Sequence, residues 1–293
     1  MANTPVSKLH FPQSNMRGCI FWGVERDTRG IALSDAQRFN YYPASPLPTI
    51  SWTFQGVLRM VLDPYSASTP EMGPPLPRVL FAGPHTRPSA SWSAGEVHAM
   101  SVTLLPETLH RLFGVRMESL VDKILPLESV VTGPLLDKLQ VIAPSPVGDT
   151  FQCIEKVFEP HWKSAVGEDS MPTIHGWISS LAQRAAFSEL GIGVRQLQRK
   201  LKQLTGQSQR DLQIYARTEK AMICLADLNE DSPVELADLA AEAGFSDQSH
   251  MGREIRRVSG MSPGQLEALM RTDEAFWFYR LLRSGLQGHS NFA

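Results

Sequence analysis

Two segments in the second half of the chain carry basic side chains at matching helical positions. Residues 197–208 place leucines at i, i+4 and i+7 and end in Thr-Gly-x-Ser. Residues 251–262, 54 positions later, place Met, Ile and Val at the same positions and end in Ser-Gly-x-Ser. Arg199 of the first copy corresponds to Arg253 of the second, and Lys202 corresponds to Arg256. In both copies the basic residues lie away from the apolar stripe. The arrangement favours contact between two basic helix faces and the phosphates of a nucleic acid.

The basic charge of the chain is concentrated in short segments, which supports this interpretation. Residues 194–220 hold seven basic and two acidic side chains, whereas residues 221–250 hold seven acidic ones and no lysine or arginine. The whole chain has 28 Lys+Arg against 30 Asp+Glu, which excludes a histone-like polycation. One basic amphipathic helix is usually only a solvated face, but two copies with matched apolar, basic and cap positions favour DNA binding.

Each basic helix needs a partner helix and a turn to present it. A shorter apolar helix is predicted before each copy, over residues 178–190 and 234–243, and a glycine-containing turn follows each of them. Gly206 and Gly260 stand where a left-handed C-cap would end the basic helices. Two helices joined by a short turn that contains glycine are the helix-turn-helix signature. The sequence therefore predicts two such units.

Residues 191–266 resemble the DNA-binding domain of AraC/XylS-type transcription regulators. The resemblance rests on residues 194–206, 217–221 and 236–249, continues to Gly260-Met261-Ser262-Pro263, and covers about a quarter of the chain. It implies two units joined by a linker helix over residues 209–228, with recognition helices in successive major grooves. It also implies a transcription regulator, an activator by family habit, whose partners are a promoter operator in double-stranded DNA and RNA polymerase.

The DNA-contacting positions of the family carry over to this sequence. Arginine suits bidentate contact with guanine and glutamine with adenine, whereas Lys202, Arg256 and Arg257 suit phosphate. Gly252 stands where a small hydroxyl residue is usual, so we expect the first unit to read sequence more strictly than the second. The residues that the resemblance implies are Arg195, Gln198, Arg199, Lys202, Ser246, Gln248, Ser249, Gly252, Arg253, Arg256 and Arg257.

The first half of the chain has a different composition. Nineteen of the 21 prolines lie in the first 172 residues, which excludes long helices there. Runs of β-branched and aromatic residues predict strands at 49–54, 57–62, 78–82 and 97–105, and helical spacing predicts helices at 107–113, 117–124, 135–141 and 151–162. The predicted fold class is an α+β N-terminal domain, a small β-barrel or sheet plus helices, followed by an all-α domain.

Three parts of the chain follow from these patterns. Residues 1–165 form the predicted effector-sensing or dimerisation domain, 172–270 the DNA-binding domain and 271–293 a C-terminal extension, with a polar boundary at 163–172. The extension holds four consecutive aromatic residues, which cannot share one helix face. We expect it to dock on the N-terminal domain or on a second subunit of a homodimer, and expect residues 285–293 to be disordered.

In the family's architecture the N-terminal domain senses a small molecule or mediates dimerisation. Aromatic walls and an arginine that could pair with a carboxylate or phosphate predict a ligand pocket. The alternative, that the aromatic residues are the core of the barrel, stays open, as does a domain that only dimerises or binds a protein partner. The predicted ligand-binding residues are Trp52, Phe54, His85, Arg87, Trp92 and His98.

Other functions are not expected from this sequence. It contains no nucleophile–base pair, HExxH motif, P-loop or dinucleotide fingerprint, so we expect no enzyme, catalytic residue or cofactor. His85, Glu96 and His98 lack the spacing of a cupin metal site, and we expect no metal. No run approaches the length of a membrane span and no signal peptide is recognised, so we expect a cytoplasmic protein.

Overall fold

The computed structural model describes residues 4–65, 70–145, 149–162, 173–187, 194–227 and 236–290. Antiparallel strands and short helices form the first half of this described chain, and helices form the second. The strands are β1 (Val6–His10), β2 (Ile20–Asp27), β3 (Phe39–Tyr42), β4 (Thr49–Gln55), β5 (Leu58–Leu62), β6 (Glu71–Pro75), β7 (Val79–Ala82), β8 (Ser89–Ser93), β9 (His98–Leu104) and β10 (Ile124–Pro126). The helices are α1 (Pro106–Phe113), α2 (Pro134–Gln140), α3 (Thr150–Phe158), α4 (Ile174–Phe187), α5 (Val194–Thr205), α6 (Gln209–Asp227), α7 (Leu236–Glu242), α8 (Gln248–Ser259), α9 (Pro263–Thr272) and α10 (Trp277–Ser290).

The strands form two sheets. The larger sheet has the order β1-β2-β9-β4-β7-β10, and the smaller one has the order β3-β8-β5-β6. In the larger sheet β4 pairs with β9 so that Thr49 lies opposite Thr103 and Ser51 opposite Ser101. The predicted fold class, an α+β domain followed by helices, is confirmed.

Alternation along β4 separates two environments. Ile50 and Trp52 are fully buried in a core shared with α1, α2 and α3, where the Trp52 indole N–H donates to the carbonyl of Leu139 at 2.7 Å. Thr49 and Ser51 point to the opposite face of the strand, because successive side chains alternate. That face borders an interior cavity between the two sheets.

The predicted elements of the first half are confirmed with one exception. Strands β4, β5, β7 and β9 match the four predicted runs, and helices α1, α2 and α3 lie where helical spacing predicted them. The helix predicted at 117–124 is wrong. Only Met117–Ser119 form a short 3-10 turn, and Ile124 begins β10, which pairs with β7 and ends at Pro126. Pairing with a sheet edge overrides the local helical spacing there.

In the second half, α4 and α5 belong to the first predicted unit and α7 and α8 to the second, with α6 as the linker helix between them. The turn predicted at 191–193 and the domain boundary predicted at 163–172 lie outside the described residues. Beyond α9, the extension forms α10, which continues to Ser290. The expectation of disorder is therefore wrong for residues 285–290, which belong to this helix. Gly285 packs so close to Leu9 of β1 that a side chain at position 285 would collide with it.

Candidate DNA interface and interior cavity

The two helix-turn-helix units repeat each other in local detail. At the end of α5 the Thr205 hydroxyl donates to the carbonyl of Leu201 at 2.8 Å, and at the end of α8 the Ser259 hydroxyl donates to Ile255 at the same distance. Each helix then stops at a glycine with positive φ, 72° at Gly206 and 81° at Gly260. Both glycines lie against the N-terminal domain, which leaves them no room for a side chain.

The predicted base-reading residues of the first unit share an exposed face. Arg195, Gln198 and Arg199 are exposed on α5, and Lys202 continues the same face one turn later. On the other side of the helix, Leu201 is buried in a cluster with aromatic residues of β2. The helix is therefore held by its apolar side, and its arginine and glutamine side chains are free to enter a groove.

The second unit presents a similar face on α8. Asp247 caps the helix by accepting the backbone N–H of His250 at 2.7 Å. Met251 and Ile255 are buried below it. Among the predicted contact residues, those with exposed side chains are Ser246, Gln248, Ser249, Arg253, Arg256 and Arg257, whereas Gly252 is partly buried.

Arg257 has a partner inside the domain. Its guanidinium lies 2.8 Å from the carboxylate of Asp211 on the linker helix α6. This hydrogen bond raises the pKa of Arg257. The pair joins the second unit to the linker helix. Within the part of the chain that the structure describes, Arg253 and Arg256 form no such ion pair. Ser246 is likewise engaged locally, with Asp247 and His250 at 3.0 Å each.

A cavity of about 290 Å³ lies between the two sheets. Its sheet walls carry small polar side chains in pairs: the Thr49 and Thr103 hydroxyls are 3.2 Å apart, and those of Ser51 and Ser101 are 2.8 Å apart. On the smaller sheet, Asn40, Ser89 and Ser91 also border the cavity. Alternating inward positions of two facing sheets thus supply hydroxyl and amide groups around an open space.

The rest of the cavity wall comes from the C-terminal half. Tyr215 and Glu219 of α6, Val258 of α8 and Trp277 and Phe278 of α10 all border it. A backbone hydrogen bond joins the two halves at this wall: the Val258 carbonyl accepts the backbone N–H of Ala44 at 2.8 Å. The cavity is therefore shared between the β-sheets and the helices that carry the DNA-binding units.

The C-terminal extension anchors this junction. Trp277 is 4% exposed, its indole N–H donates to the buried Asn40 amide oxygen at 2.8 Å, and the Arg26 guanidinium lies 4.8 Å from its ring centre. Arg26 also pairs with Glu274 at 2.7 Å. The expectation that the extension docks on the N-terminal domain is confirmed by these contacts.

The structure does not bring the predicted ligand-binding residues together. Only His85 borders the interior cavity. Trp52 and Phe54 belong to the core beneath the helices, and Arg87 is exposed. Trp92 donates its indole N–H to Asp35 at 3.2 Å, and His98 faces Glu25 on the other side of the sheet. The small hydroxyl residues that do line the cavity carry no distinctive sequence signal, since alternation alone does not say which face of a strand is covered by helices.

Glu25 is the centre of a second polar cluster, in which His98 lies 3.0 Å away and His10 3.4 Å away. Hydrogen bonding from His10, and then from His98, outweighs burial and lowers the pKa of Glu25 to about 2. Asp149, which caps α3, pairs with His10 at 3.2 Å. The cluster ties strands β1, β2 and β9 to α3. No group of three or more His, Cys, Asp or Glu within the described ranges is arranged to hold a metal ion.

Glu219 is a buried carboxylate at the cavity wall. It is 9% exposed, and its two oxygens accept the backbone N–H groups of Ile174 and His175 at the start of α4, at 3.1 and 3.3 Å. Burial raises its pKa to about 7, against the opposing effect of these hydrogen bonds. The carboxylate thus satisfies N–H groups that the helix itself leaves unpaired.

The raised pKa of Glu219 predicts a pH dependence of stability. Because the folded protein binds this proton more tightly than the unfolded chain does, the free energy of unfolding should fall as the pH rises from about 4.5 to 7. The expected loss from this group is about 3 kcal/mol. Urea unfolding of the wild type and of Glu219→Gln at pH 5 and pH 8 measures it. The glutamine variant should lose less free energy of unfolding than the wild type between pH 5 and pH 8. An equal loss in the two proteins would contradict the raised pKa of Glu219.

Comparison with known proteins identifies the helical half. Residues 187–268 match a family model described as a helix-turn-helix domain, and the predicted AraC/XylS-type resemblance of this region is confirmed. No curated protein matches the chain significantly. Among the helices within the described ranges, none is long and apolar enough to cross a membrane.

Several solved structures are similar to this chain at low identity. A structure of ToxT from Vibrio cholerae at 1.65 Å resolution has 11% identity and a TM-score of 0.35, with 78% of this chain and 93% of that chain covered. ToxT of Vibrio cholerae bound to (E)-4-(8-methylnaphthalen-1-yl)but-3-enoic acid has 11% identity and a TM-score of 0.36, with 84% and 96% covered. Unsaturated fatty acid bound wild-type ToxT has 14% identity and a TM-score of 0.32, with 78% and 93% covered.

Proposed function

We propose that this protein is a sequence-specific transcription regulator, an activator, that binds a promoter operator and is controlled by a small molecule in the interior cavity. The observation that carries the DNA-binding part is the repeated unit: two capped helices, 54 residues apart, each with an apolar side held by the protein and an arginine-bearing side exposed. Such helices enter the major groove, where arginine and glutamine read base edges.

Each unit contributes both base-reading side chains and a side chain that contacts phosphate. Arg195, Gln198 and Arg199 of α5 face outward together, and they supply two donors for guanine and one amide for adenine. On α8, Gln248 and Arg253 are the matching base readers, while Arg256 and Lys202 contact phosphate. Arg257 also contacts phosphate, and its ion pair with Asp211 holds its guanidinium group in place.

Control by a ligand is supported by the helices that line the cavity. Its wall includes the linker helix through Tyr215 and the second recognition helix through Val258, and Tyr215 also donates to the carbonyl of His85 at 3.2 Å. A molecule in the cavity touches the elements that set the spacing of the two recognition helices. Because ligands act by binding one arrangement better than another, occupancy changes how well the units fit successive grooves. The cavity favours this function over a domain that only dimerises.

The remaining parts of the proposal follow from the sequence patterns, which give the domain ranges, and from the family resemblance, which gives the partners. The domain ranges are 1–165 for sensing or dimerisation, 172–270 for DNA binding and 271–293 for the extension. RNA polymerase is the partner through which an activator acts, and a homodimer would form through the N-terminal domain. The protein has no catalytic role.

Selection of bound sequences from a random DNA pool tests the proposal. The full chain, at about 150 mM salt where non-specific phosphate binding is weakened, should enrich a motif of two different half-elements about one helical turn apart. A promoter fusion that carries the motif should then give more transcript when the protein is present. Failure to enrich any motif would reject DNA reading, and a lower transcript level would reject the activator role.

A further inference from the structure

The wall of the interior cavity has a polar part and an apolar part. The polar part includes the pair of hydroxyls on Ser51 and Ser101, which lie 2.8 Å apart and are only partly buried. The apolar part is contributed by Trp277, Phe278 and Leu282 of the C-terminal helix α10. A molecule that fills the cavity meets both kinds of surface.

Each guanidinium group that borders the cavity has a carboxylate partner, and the partner of Arg26 is shared with Arg280. Of the described residues in its wall, Arg26 and Arg283 carry guanidinium groups. Arg26 lies 2.7 Å from Glu274, and Arg283 donates to both oxygens of Glu267 at 2.8 and 3.0 Å. An anionic ligand would compete with Glu274 and Glu267 for these guanidinium groups, and an uncharged ligand meets no such competition.

A cationic ligand is disfavoured because the carboxylate at the cavity wall already accepts two hydrogen bonds. Glu219 borders the cavity, but both of its oxygens already accept backbone N–H groups of α4. Pairing with a ligand would compete with the groups that start this helix. A neutral ligand makes neither demand, because hydroxyl and carbonyl groups can hydrogen-bond to serine without adding charge.

We infer that the interior cavity binds an uncharged, largely apolar molecule whose hydroxyl or carbonyl group hydrogen-bonds to Ser51 and Ser101. This inference names the ligand class of the proposed regulator and so rests on that proposed function. The apolar body of the molecule lies against α10, which connects the cavity to the second helix-turn-helix unit.

Three probes with the same alkyl chain test the charge of the ligand. Isothermal titration of the full chain, without DNA, compares 1-decanol, decanoate and decylammonium at neutral pH. 1-Decanol should bind at least tenfold more tightly than either ion. Equal or tighter binding of decanoate or decylammonium would overturn the inference, and so would the absence of 1-decanol binding.

A paired substitution tests the polar contact. Ser51→Ala/Ser101→Ala removes two hydroxyls that bond to each other, so neither is left without a partner, and it should weaken 1-decanol binding about tenfold. The control Ser34→Ala/Ser119→Ala removes two exposed hydroxyls outside the cavity and should leave binding unchanged. Thermal unfolding followed by circular dichroism verifies that both variants fold. Unchanged affinity in the folded cavity variant would overturn the contact.

Because these titrations contain no DNA, they separate the two proposals. A protein that selects a DNA motif but prefers a charged probe, or binds none of the three, contradicts the ligand class alone. A protein that binds 1-decanol as expected but enriches no DNA motif contradicts the regulator and leaves the binding site standing.

Discussion

Replacement of Arg199 and Arg253 by alanine is expected to abolish selection of a specific DNA motif while the protein stays folded. Both side chains are exposed and occupy the same position in the two copies of the repeat. A bidentate arginine–guanine contact contributes about 1–3 kcal/mol of discrimination, so the loss of two should lower the preference for the motif about a hundredfold or more. Competition of the labelled motif by scrambled DNA, at fixed salt, measures this ratio.

Lys202→Ala/Arg256→Ala is the matched control for that experiment. These residues are also basic, exposed and related by the same 54-residue offset, but we assign them to phosphate. Their loss should weaken binding to all sequences alike and reduce the slope of log affinity against log salt by about 1.8. If the Arg199/Arg253 variant behaved in the same way as this control, those arginines would be phosphate contacts and the assignment of base readers would be wrong.

The single variants distinguish the two units. Arg199 is accompanied on its face by Arg195 and Gln198, whereas Arg253 follows Gly252, which offers no side chain to a base. We therefore expect Arg199→Ala to blur its half-element of the selected motif more than Arg253→Ala blurs the other. Selection from the same DNA pool with each variant gives the base preference at every position of the motif. Comparison of the two half-elements shows which variant loses more of it.

The DNA-binding half of the fold was predictable because its signal is duplicated. An apolar stripe, a terminal glycine and a basic face recur at one offset. Each copy forms the same local structure, including the hydroxyl of Thr205 or Ser259 that hydrogen-bonds in the last turn. Helical periodicity also says which side is exposed. What it could not say is that Arg257 would be held by Asp211, since that contact joins residues from two helices distant in sequence.

The N-terminal half was predictable only in part. Strands β4 and β9 alternate clearly, but β1 and β2 were missed. Strand β2 is buried along most of its length because it is covered on both faces, so it shows no alternation. The residues predicted to line a ligand pocket do not meet at the cavity for a related reason: Trp52 lies in the core, because bulky side chains fill the face of the sheet that packs on α1 to α3. The face with small side chains, such as Ser51, leaves room for a cavity.

The second large effect is expected from Trp277→Ala, which removes the anchor of the C-terminal helix. The indole is 4% exposed, donates to the Asn40 amide oxygen and lies beneath the Arg26 guanidinium. Truncation opens a hole next to the cavity and leaves a buried acceptor without its donor. A loss of about 3–5 kcal/mol in the free energy of unfolding is expected. Trp277→Phe keeps most of the ring but not the N–H and should cost about 1–3 kcal/mol.

Urea unfolding measures both changes, and Trp92→Ala is the matched control. Trp92 is only partly buried, on the outer side of the smaller sheet, and donates to the carbonyl of Asp35. Its truncation should cost less than half as much as that of Trp277 because it leaves a smaller hole and a carbonyl that water can reach. Equal losses for the two tryptophans would mean that Trp277 is an ordinary packing residue. A larger loss at Trp277, accompanied by weaker binding of 1-decanol, would establish that α10 both closes the cavity and holds the two halves of the chain together.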